Sequence, residues 1–154
     1  MVRIEGEILI KRPAEEVFDF VADERNEPRY NPHMRRAERI SDGPIGLGTR
    51  FRAEIVSMGR TVEMIIEFTG YDRPRRLASS THMSSMDTHG GLTFDSVTEG
   101  TRMRWTWDVE PRGILRLMRP LVAWMGRRQE QRIWTSLKHL LEGQATDVGS
   151  SAGS

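Results

Sequence analysis

Apolar and polar residues alternate through the middle of the chain. Phe51 and Ala53 are separated by charged residues, and the same two-residue period returns over residues 62–68 and 103–109. This period is typical of β-strands that bury one face. Short glycine-containing segments separate these strands, and connections this short join antiparallel neighbours. The pattern predicts an antiparallel sheet, with residues 58–60 at one of its turns.

The first forty residues predict a mixed order of elements. A strand over about residues 3–10 precedes Pro13, which suits the first turn of a helix, and a helix follows over Ala14–Ala22. Residues 26–32 contain two prolines and predict at most one short helical piece. Residues 34–41 predict a weakly patterned strand. About six strands in a row therefore follow the two short helical segments.

From residue 113 to residue 142 the apolar period becomes helical. Pro120 either kinks this segment or begins a second, longer helix. A helix over residues 120–142 would be about 35 Å long, enough to cross a sheet whose strands have about ten residues. We expect the sheet to curl around it, because no other predicted element is long enough to cover the apolar face. The stripe consists of Leu115, Met118, Val122, Met125, Ile133, Leu137 and Leu140.

Composition and charge exclude several classes of protein. The chain has 154 residues, and 23 Lys+Arg against 22 Asp+Glu give a formal net charge of +1, which argues against a nucleic-acid partner. No cysteine is present, so disulfides and thiolate catalysis are excluded. Charges in residues 1–7 do not suit a signal peptide, and we expect a cytoplasmic protein. Residues 143–154 are small and polar, which predicts a disordered tail after a single domain of residues 1–142.

Four short motifs, in this order along the chain, resemble those of a known superfamily. The chain is similar to the SRPBCC superfamily, which includes START and pollen-allergen proteins, and most of all to its polyketide cyclase/dehydrase-like branch. In one motif, tyrosine stands where that family usually has tryptophan. The four motifs are Ile10-Lys11-Arg12-Pro13-Ala14-Glu15-Glu16-Val17-Phe18, Glu27-Pro28-Arg29-Tyr30-Asn31-Pro32, Gly46-Leu47-Gly48-Thr49-Arg50-Phe51 and Glu99-Gly100-Thr101-Arg102-Met103.

The resemblance implies an α+β helix-grip fold. In this fold a curved antiparallel sheet of about seven strands wraps around a long C-terminal helix, with two short helices after the first strand. It also implies a hydrophobic cavity between sheet and helix, which relatives use for lipids, sterols, polyketides or other apolar molecules. It does not imply one reaction, because relatives include cyclases, aromatases, hydrolases and lipid carriers.

The first hypothesis is therefore that the protein binds a small hydrophobic or aromatic ligand in this cavity. Aromatic side chains and flexible methionines at positions that we expect to face inward suit such a ligand. We expect Met118 and Met125 on the C-terminal helix to be internal. The predicted lining consists of Phe51, Ile55, Met64, Ile66, Phe68, Thr81, Phe94, Trp105, Trp107, Met118, Val122 and Met125.

The second hypothesis is an enzyme of the cyclase, dehydrase or aromatase type that uses the same cavity. His82 and His89, with Asp87 between them, are candidates for proton transfer, as is Tyr30 at the mouth of the cavity. Strand alternation and a turn or bulge at Gly90-Gly91 instead favour two polar surface histidines. The predicted inner strand faces carry no Arg, Asp or Glu, which favours binding over catalysis. We expect no metal site, because no metal-binding spacing occurs, and no cofactor.

A third hypothesis concerns the start of the C-terminal helix. Leu117, Leu121 and Trp124 lie outside the main apolar stripe, and arginines flank them on both sides. Such a face suits contact with a membrane or a homodimer interface. Alternatively, loops of the same chain bury it.

Overall fold

Seven antiparallel strands form one sheet in the computed structural model, which describes residues 1–57 and 59–151. The strands are β1 (Val2–Ile10), β2 (Met34–Arg39), β3 (Arg50–Ser57), β4 (Arg60–Asp72), β5 (Arg76–His82), β6 (Met86–Val97) and β7 (Gly100–Pro111). Their spatial order is β1-β7-β6-β5-β4-β3-β2. Strands β2 to β7 therefore pair with their neighbours in sequence, and β1 closes the far edge beside β7. The predicted turn at residues 58–60 includes Met58, which lies outside the described residues.

The helical segments confirm the predicted helix-grip order. Helix α1 (Ala14–Ala22) has the predicted bounds, and a 3₁₀ helix over Glu24–Arg29 follows it. A second 3₁₀ helix (Gly113–Met118) precedes the long helix α2 (Arg119–Ser151). Pro120 thus lies in the first turn of α2, where proline is tolerated, and does not kink a continuous helix.

The predicted disordered tail over residues 143–154 stays a prediction. Side-chain environments are described as far as Gly143, and residues 152–154 lie outside the described residues.

The two faces of the sheet differ in charge. Phe51 and Ala53 of β3 are fully buried on the inner face, whereas Arg52 between them is exposed. Arg52 lies 3.3 Å from Glu38 of the neighbouring strand β2. Exposed pairs of this kind stabilise a fold by less than about 1 kcal/mol each. Arginines such as Arg52 therefore lie on the solvent-exposed face of the sheet.

Gly90 and Gly91 lie inside strand β6 and pair in regular register with β5 and β7, so the turn or bulge expected there is wrong. The connection between β5 and β6 is instead formed by residues 83–85. Gly90 has a φ of +146°, and a Cβ atom at this position would collide with the carbonyl oxygen of Thr106 on β7. A Cβ atom at Gly91 would lie 2.6 Å from the carbonyl oxygen of Leu77 on β5. Glycines are needed here because the flanking strands approach too closely for side chains.

Helix α1 covers the middle of the sheet. Its apolar face buries Val17, Phe18 and Val21. The Phe18 ring meets the Tyr71 and Phe94 rings edge-on, with centroid distances of 5.1 Å and 5.2 Å. Edge-to-face pairs of this kind add to the stability that burial of the rings provides. The α1 side of the interior is therefore a close-packed aromatic core.

Helix α2 runs alongside β1, at the other side of the interior. Gly126 contacts Ile4 near the start of the strand, and Lys138 Nζ donates a hydrogen bond to the carbonyl oxygen of Leu9 (2.8 Å) near its end. The Lys138 ammonium group also pairs with Glu142 at 2.9 Å. Because the contacts advance in the same direction along both elements, α2 lies parallel to β1 and covers the β1–β7 side of the sheet.

Candidate functional site

The structure places most of the predicted lining residues on the inside of the sheet. Side chains in this group are either buried or half-buried. The buried ones are Phe51, Ile66, Phe68, Phe94 and Trp105. The half-buried ones are Ile55, Met64, Thr81, Trp107 and Val122. Their contact with a ligand stays a prediction.

Met118 and Met125 are exceptions, because their side chains are 39% and 51% exposed. The expected inward orientation of these two residues is therefore wrong. Met118 ends a 3₁₀ helix, whose three residues per turn break the phase of an α-helical stripe. In α2 itself the inward positions include Gly126 and Glu130, neither of which is apolar. The apolar pattern therefore predicted an inward position for Met125, whereas in the structure its neighbour Gly126 contacts the sheet.

Glu130 of α2 is a half-buried polar group beside the aromatic interior. Its Oε2 atom accepts hydrogen bonds from Trp107 Nε1 of β7 (3.0 Å) and from Trp134 Nε1, one turn further along α2 (2.8 Å). Burial raises the pKa of Glu130 to about 7, against the lowering effect of the two indole N–H groups and with a further increase from the charge of Glu27. This carboxyl group can therefore both accept and release a proton near neutral pH.

Tyr30 lies beside this carboxyl group and not at an exposed mouth, because its residue is only 4% exposed. Its ring lies between Phe20 of α1 and Trp134 of α2, with centroid distances of 6.0 Å to each. Burial raises the pKa of the Tyr30 hydroxyl well above its usual range, and the charges of Glu27, Glu24 and Glu130 raise it further. Tyr30 therefore joins the first 3₁₀ helix to α2 across the interior.

Two further carboxyl groups come from the first 3₁₀ helix. Burial raises the pKa of Glu24 well above its usual range, and the charge of Glu27 and a hydrogen bond between the two carboxyl groups raise it further. Glu27 accepts a hydrogen bond from Asn31 Nδ2 at 3.2 Å. We call Glu24, Glu27 and Glu130, together with Tyr30, the acidic cluster. It combines three half-buried carboxyl groups with a buried phenol beside the aromatic interior.

Trp105 adds an unpaired donor to the same interior. The residue is 2% exposed, and its indole Nε1 is buried without a hydrogen-bond partner. Its ring lies 6.1 Å from the Trp134 ring and covers Gly6 of β1, where a Cβ atom would lie 2.5 Å from the Trp105 ring. Buried indole N–H groups usually find an acceptor. The interior therefore holds one donor, Trp105 Nε1, that the described protein atoms do not satisfy.

The candidate histidines lie elsewhere, on the exposed face of β5 and β6. The His82 side chain is 67% exposed, and its Nδ1 lies 2.6 Å from Asp87 Oδ1. Arg112 also contacts Asp87, and although burial raises the pKa of Asp87, hydrogen bonds from Arg112 and His82 lower it overall. His89, also exposed, lies 3.0 Å from Ser80 Oγ. The histidines are therefore surface residues that do not take part in the acidic cluster.

An open depression of about 470 Å³ lies on the surface near the acidic cluster. It is formed between the loop after the first 3₁₀ helix and the face of α2 that flanks Glu130 and Trp134. Its lining residues are Pro32, Gln131, Arg132, Thr135 and Ser136.

Sequence reasoning did not single out Glu24, Glu130 or Trp134. The prediction considered charge only on the strands, and the interior charges come from helical segments. Glu130 and Trp134 are four residues apart and therefore share one helix face. An acidic residue at a stripe position beside tryptophan was the signal that could have revealed the cluster.

Neither a metal-binding group of side chains nor a membrane-spanning helix is found among the described residues. No three acidic, histidine or cysteine side chains there come together as a metal ion would require. None of the helices in the part of the chain that the structure describes is long and apolar enough to cross a membrane.

Several solved structures share the fold at low sequence identity. TTHA0849 from Thermus thermophilus is 22% identical, with a TM-score of 0.74 over 89% of this chain and 94% of that one. Ara h 8.0201 is 15% identical, with a TM-score of 0.73 over 92% of this chain and 97% of that one. A START superfamily protein from Mycobacterium smegmatis is 15% identical, with a TM-score of 0.68 over 95% of this chain and 98% of that one. These likenesses show the helix-grip fold.

No functionally curated protein matches the chain. The model of one family, described as "Polyketide cyclase / dehydrase and lipid transport", matches residues 1–142. This match covers the whole sheet, the acidic cluster and the part of α2 that packs on β1. The chain therefore belongs to the polyketide cyclase/dehydrase and lipid-transport family of the SRPBCC superfamily.

Proposed function

We propose that the protein binds a small hydrophobic or aromatic molecule, such as a lipid, sterol or polyketide, between the sheet and α2. The observation on which this proposal depends is the buried indole N–H of Trp105, which has no hydrogen-bond partner among the described residues. A core that serves only stability rarely leaves such a donor without a partner, because the loss costs about 1–3 kcal/mol. A bound molecule with an acceptor atom would supply the missing partner.

The surroundings of the Trp105 indole suit an apolar ligand. Rings of Phe51, Phe68 and Trp134 contribute to the same buried cluster as Trp105. Ligand sites of this kind are mostly apolar and aromatic, with a few polar groups that fix the orientation of the ligand. The depression beside Pro32 offers an entrance.

Native mass spectrometry of the protein purified from its source cell tests this proposal. We expect a co-purified apolar molecule, and we expect Trp105→Ala to lower its occupancy because that ring forms part of the proposed binding wall. Trp124→Ala is the matched control, since Trp124 is 58% exposed and lies outside the interior. Equal occupancy in wild type and Trp105→Ala would contradict the assigned position of the ligand.

A second candidate function is catalysis of the cyclase or dehydrase type in the same interior. The observation in its favour is Glu130, whose pKa near 7 suits a general base or acid, in contact with two indole N–H donors and close to Tyr30. In this function Glu130 would remove a proton next to a carbonyl group of the substrate.

Turnover of a poly-β-ketone substrate by the Glu130→Gln variant would test the catalytic function. We expect a loss of at least about a hundredfold in kcat, the usual contribution of a general base, with retained binding of the substrate. Unchanged kcat in this variant would exclude Glu130 as the base and leave binding alone.

We also propose that the exposed apolar face at the start of α2 contacts a membrane that contains anionic lipids. Ile114, Leu117 and Trp124 are 74%, 83% and 58% exposed. Residues 111–129 contain five arginines and no acidic residue. A basic, tryptophan-containing apolar face is complementary to an anionic lipid surface, whereas two copies of it in a homodimer would bring like charges together.

A further inference from the structure

We propose that the ligand is a neutral molecule with two hydroxyl or carbonyl oxygens along one edge, and that these oxygens bind the side-chain hydroxyl groups of Ser79, Thr81 and Thr88. We call these three residues the hydroxyl patch. This inference rests on the proposed ligand-binding function and names the chemical class of its ligand.

Strand pairing brings the hydroxyl patch together in the middle of the sheet. Thr81 of β5, the middle strand of the seven, lies directly opposite Thr88 of β6, and Ser79 lies opposite Gly90. Residues paired in this way have Cβ atoms about 4.5–5.5 Å apart. Because side chains alternate along a strand, Ser79 and Thr81 share the inner face with the buried Leu77. One small molecule can therefore reach all three hydroxyl groups.

The two helices leave this part of the inner face incompletely covered. Leu77 and Leu92, on the same two strands and the same face, are each only 3% exposed. Ser79, Thr81 and Thr88, by contrast, are half-buried. Helix α1 covers the sheet beside the two leucines, and α2 covers β1 and β7. The gap above the hydroxyl patch therefore lies between the two helices.

The hydroxyl groups of the patch make no hydrogen bond with the part of the chain that the structure describes. Other hydroxyl groups of the sheet have a partner there. Ser80 Oγ lies 3.0 Å from His89 Nδ1 on the outer face, and the buried Thr101 Oγ1 donates to the carbonyl oxygen of Arg12 at 2.7 Å. A serine or threonine hydroxyl can both donate and accept. The patch is therefore free to bind either a hydroxyl or a carbonyl oxygen.

The neighbours of the hydroxyl patch on the adjacent strands are all apolar. On β4 they are Ile66 and Phe68, and on β7 they are Val109 and, beyond Gly90, Trp107. A charged ligand group would lose its hydration there without gaining an ion pair, which is costly. A neutral oxygen needs only the hydrogen bonds that the hydroxyl groups offer. These neighbours therefore favour a neutral ligand over a carboxylate or an ammonium group.

Gly90 and Trp107 indicate the shape of the ligand. Gly90 lies between Ser79 and Trp107 in the register, and it leaves a gap in this row of side chains. The Trp107 indole N–H donates to Glu130 at 3.0 Å, which fixes the ring, and the residue stays half-buried. A fixed aromatic ring beside a gap suits a flat ring that stands with one edge on the sheet.

A ligand of this class also suits the unpaired donor of the interior. Trp105 Nε1 is buried without a partner among the described residues, and Trp105 lies on the same face of β7 as Trp107. The interior thus lacks an acceptor, which oxygen atoms supply and a hydrocarbon does not.

Two isomers of one compound test the inference. Olivetol, a resorcinol with a pentyl chain, carries its two hydroxyl groups along one edge, at a spacing close to the distance of about 4.8 Å between neighbouring strands. Pentylhydroquinone carries the same groups at opposite ends of the ring. We would measure the Kd of both by calorimetry without oxygen at pH 7, together with the Kd of meta-pentylphenol and meta-pentylbenzoate.

We expect olivetol to bind about fivefold more tightly than pentylhydroquinone, which is the effect of one additional neutral hydrogen bond. Pentylphenol should bind about as tightly as pentylhydroquinone, because each places one oxygen on the patch. Pentylbenzoate should bind most weakly of the four, because its carboxylate finds no cation beside the patch.

Two variants connect the preference to the hydroxyl patch. We expect Thr81→Val and Thr88→Val each to reduce the preference for olivetol to about twofold or less, because one hydrogen bond is lost. Valine keeps the branched shape and suits a strand, so both variants should fold. Thr93→Val is the matched control, since Thr93 is exposed on the same strand as Thr88, and it should keep the preference.

The outcomes separate this inference from the proposed function. If the two isomers bind alike, or if pentylbenzoate binds most tightly, the inference is overturned and the binding function stands. A preference for olivetol that survives in both valine variants also overturns the assignment to the patch. If a co-purified molecule is a hydrocarbon or a fatty acid, the inference alone is wrong. If none of the four compounds binds and no molecule co-purifies, both are overturned.

Discussion

The two halves of the C-terminal helical region have similar apolar side chains but opposite surroundings. In residues 113–128 the large apolar side chains are mostly exposed, and Leu117 reaches 83%. In residues 129–143 the apolar side chains face the sheet, and Leu137 and Leu141 are no more than 1% exposed. Burial in this region therefore depends on which surface the helix faces, and not on the hydrophobicity of its side chains.

The position of each half relative to β1 explains the difference in burial. Close contact between α2 and β1 is already made at Gly126, next to Ile4 near the start of the strand. Earlier helical residues therefore lie at or beyond the end of the sheet, where only their inner edge is covered. The second half lies over the interior and carries both the core residues and Glu130. One helical region thus combines a buried structural half with an exposed apolar half.

The largest expected effect on stability comes from the buried half. Leu137→Ala should lower the free energy of unfolding by about 2–5 kcal/mol, because a fully buried leucine leaves a cavity when truncated. Urea denaturation followed by circular dichroism measures this change. Leu121→Ala, at a residue that is 42% exposed in the first half, is the control and should cost about 1 kcal/mol or less. Equal losses of unfolding free energy in the two variants would contradict the proposed difference between the halves.

The next effect concerns Glu130 and depends on pH. Because the pKa of Glu130 is raised from 4.5 to about 7 in the folded protein, its contribution to stability is lost as the pH rises from 4.5 through 7. The full loss corresponds to about 3 kcal/mol. Glu130→Gln keeps an oxygen for the two indole donors and removes this titration. We therefore expect the variant to be more stable than wild type at pH 8 and similar at pH 4.5.

Urea denaturation at a series of pH values measures the difference between the two proteins. Glu99→Gln, which changes an exposed carboxyl group, should follow the wild-type curve. A constant difference between Glu130→Gln and wild type from pH 4.5 to pH 8 would show that Glu130 does not titrate as described.

The smallest effect on stability belongs to the exposed half. Leu117→Ser should change the free energy of unfolding by no more than about 0.5 kcal/mol, because this side chain is 83% exposed. The same change should weaken binding to vesicles that contain phosphatidylglycerol by about fivefold, since a leucine would no longer be buried in the lipid.

Co-sedimentation with these vesicles, and with vesicles of phosphatidylcholine alone, measures the binding. Leu47→Ser is the matched control, because Leu47 is 74% exposed in the loop between β2 and β3. If wild type does not sediment with either vesicle but is dimeric in light scattering, the face is an interface between two copies and the membrane proposal is wrong.

Much of the fold could be predicted from the sequence because local signals agreed with it. Pro13 and the amphipathic run after it defined α1 to the residue, and alternation placed Phe51, Phe68 and Trp105 inside. The Gly90-Gly91 pair was misread because glycines are common in turns. Here they allow close approach between neighbouring strands, which only the pairing of three strands reveals.

The candidate site was harder to predict. Apolar periodicity assigns acidic residues to the outer face of a helix. It therefore did not predict an inward position for Glu130, and it predicted one for Met125 instead. The environment of Glu130 depends on Trp107, which is 23 positions earlier in the chain. Long-range contacts of this kind leave no local trace in a single sequence, so the position of Glu130 beside the aromatic interior could be seen only in the assembled fold.

The connection between β1 and α2 has a consequence for the way in which the chain folds. The backbone N–H of Lys11 donates to the carboxylate of Glu142 at 3.1 Å, across 131 positions of sequence. During synthesis the part of the inner face near β1 and β7 therefore stays uncovered until the last helix has been made, although α1 can already cover the middle of the sheet. Contacts this distant in sequence slow folding, and exposed apolar surface invites aggregation in the meantime. A molecule that occupies the interior early would shelter that face while α2 is still being made.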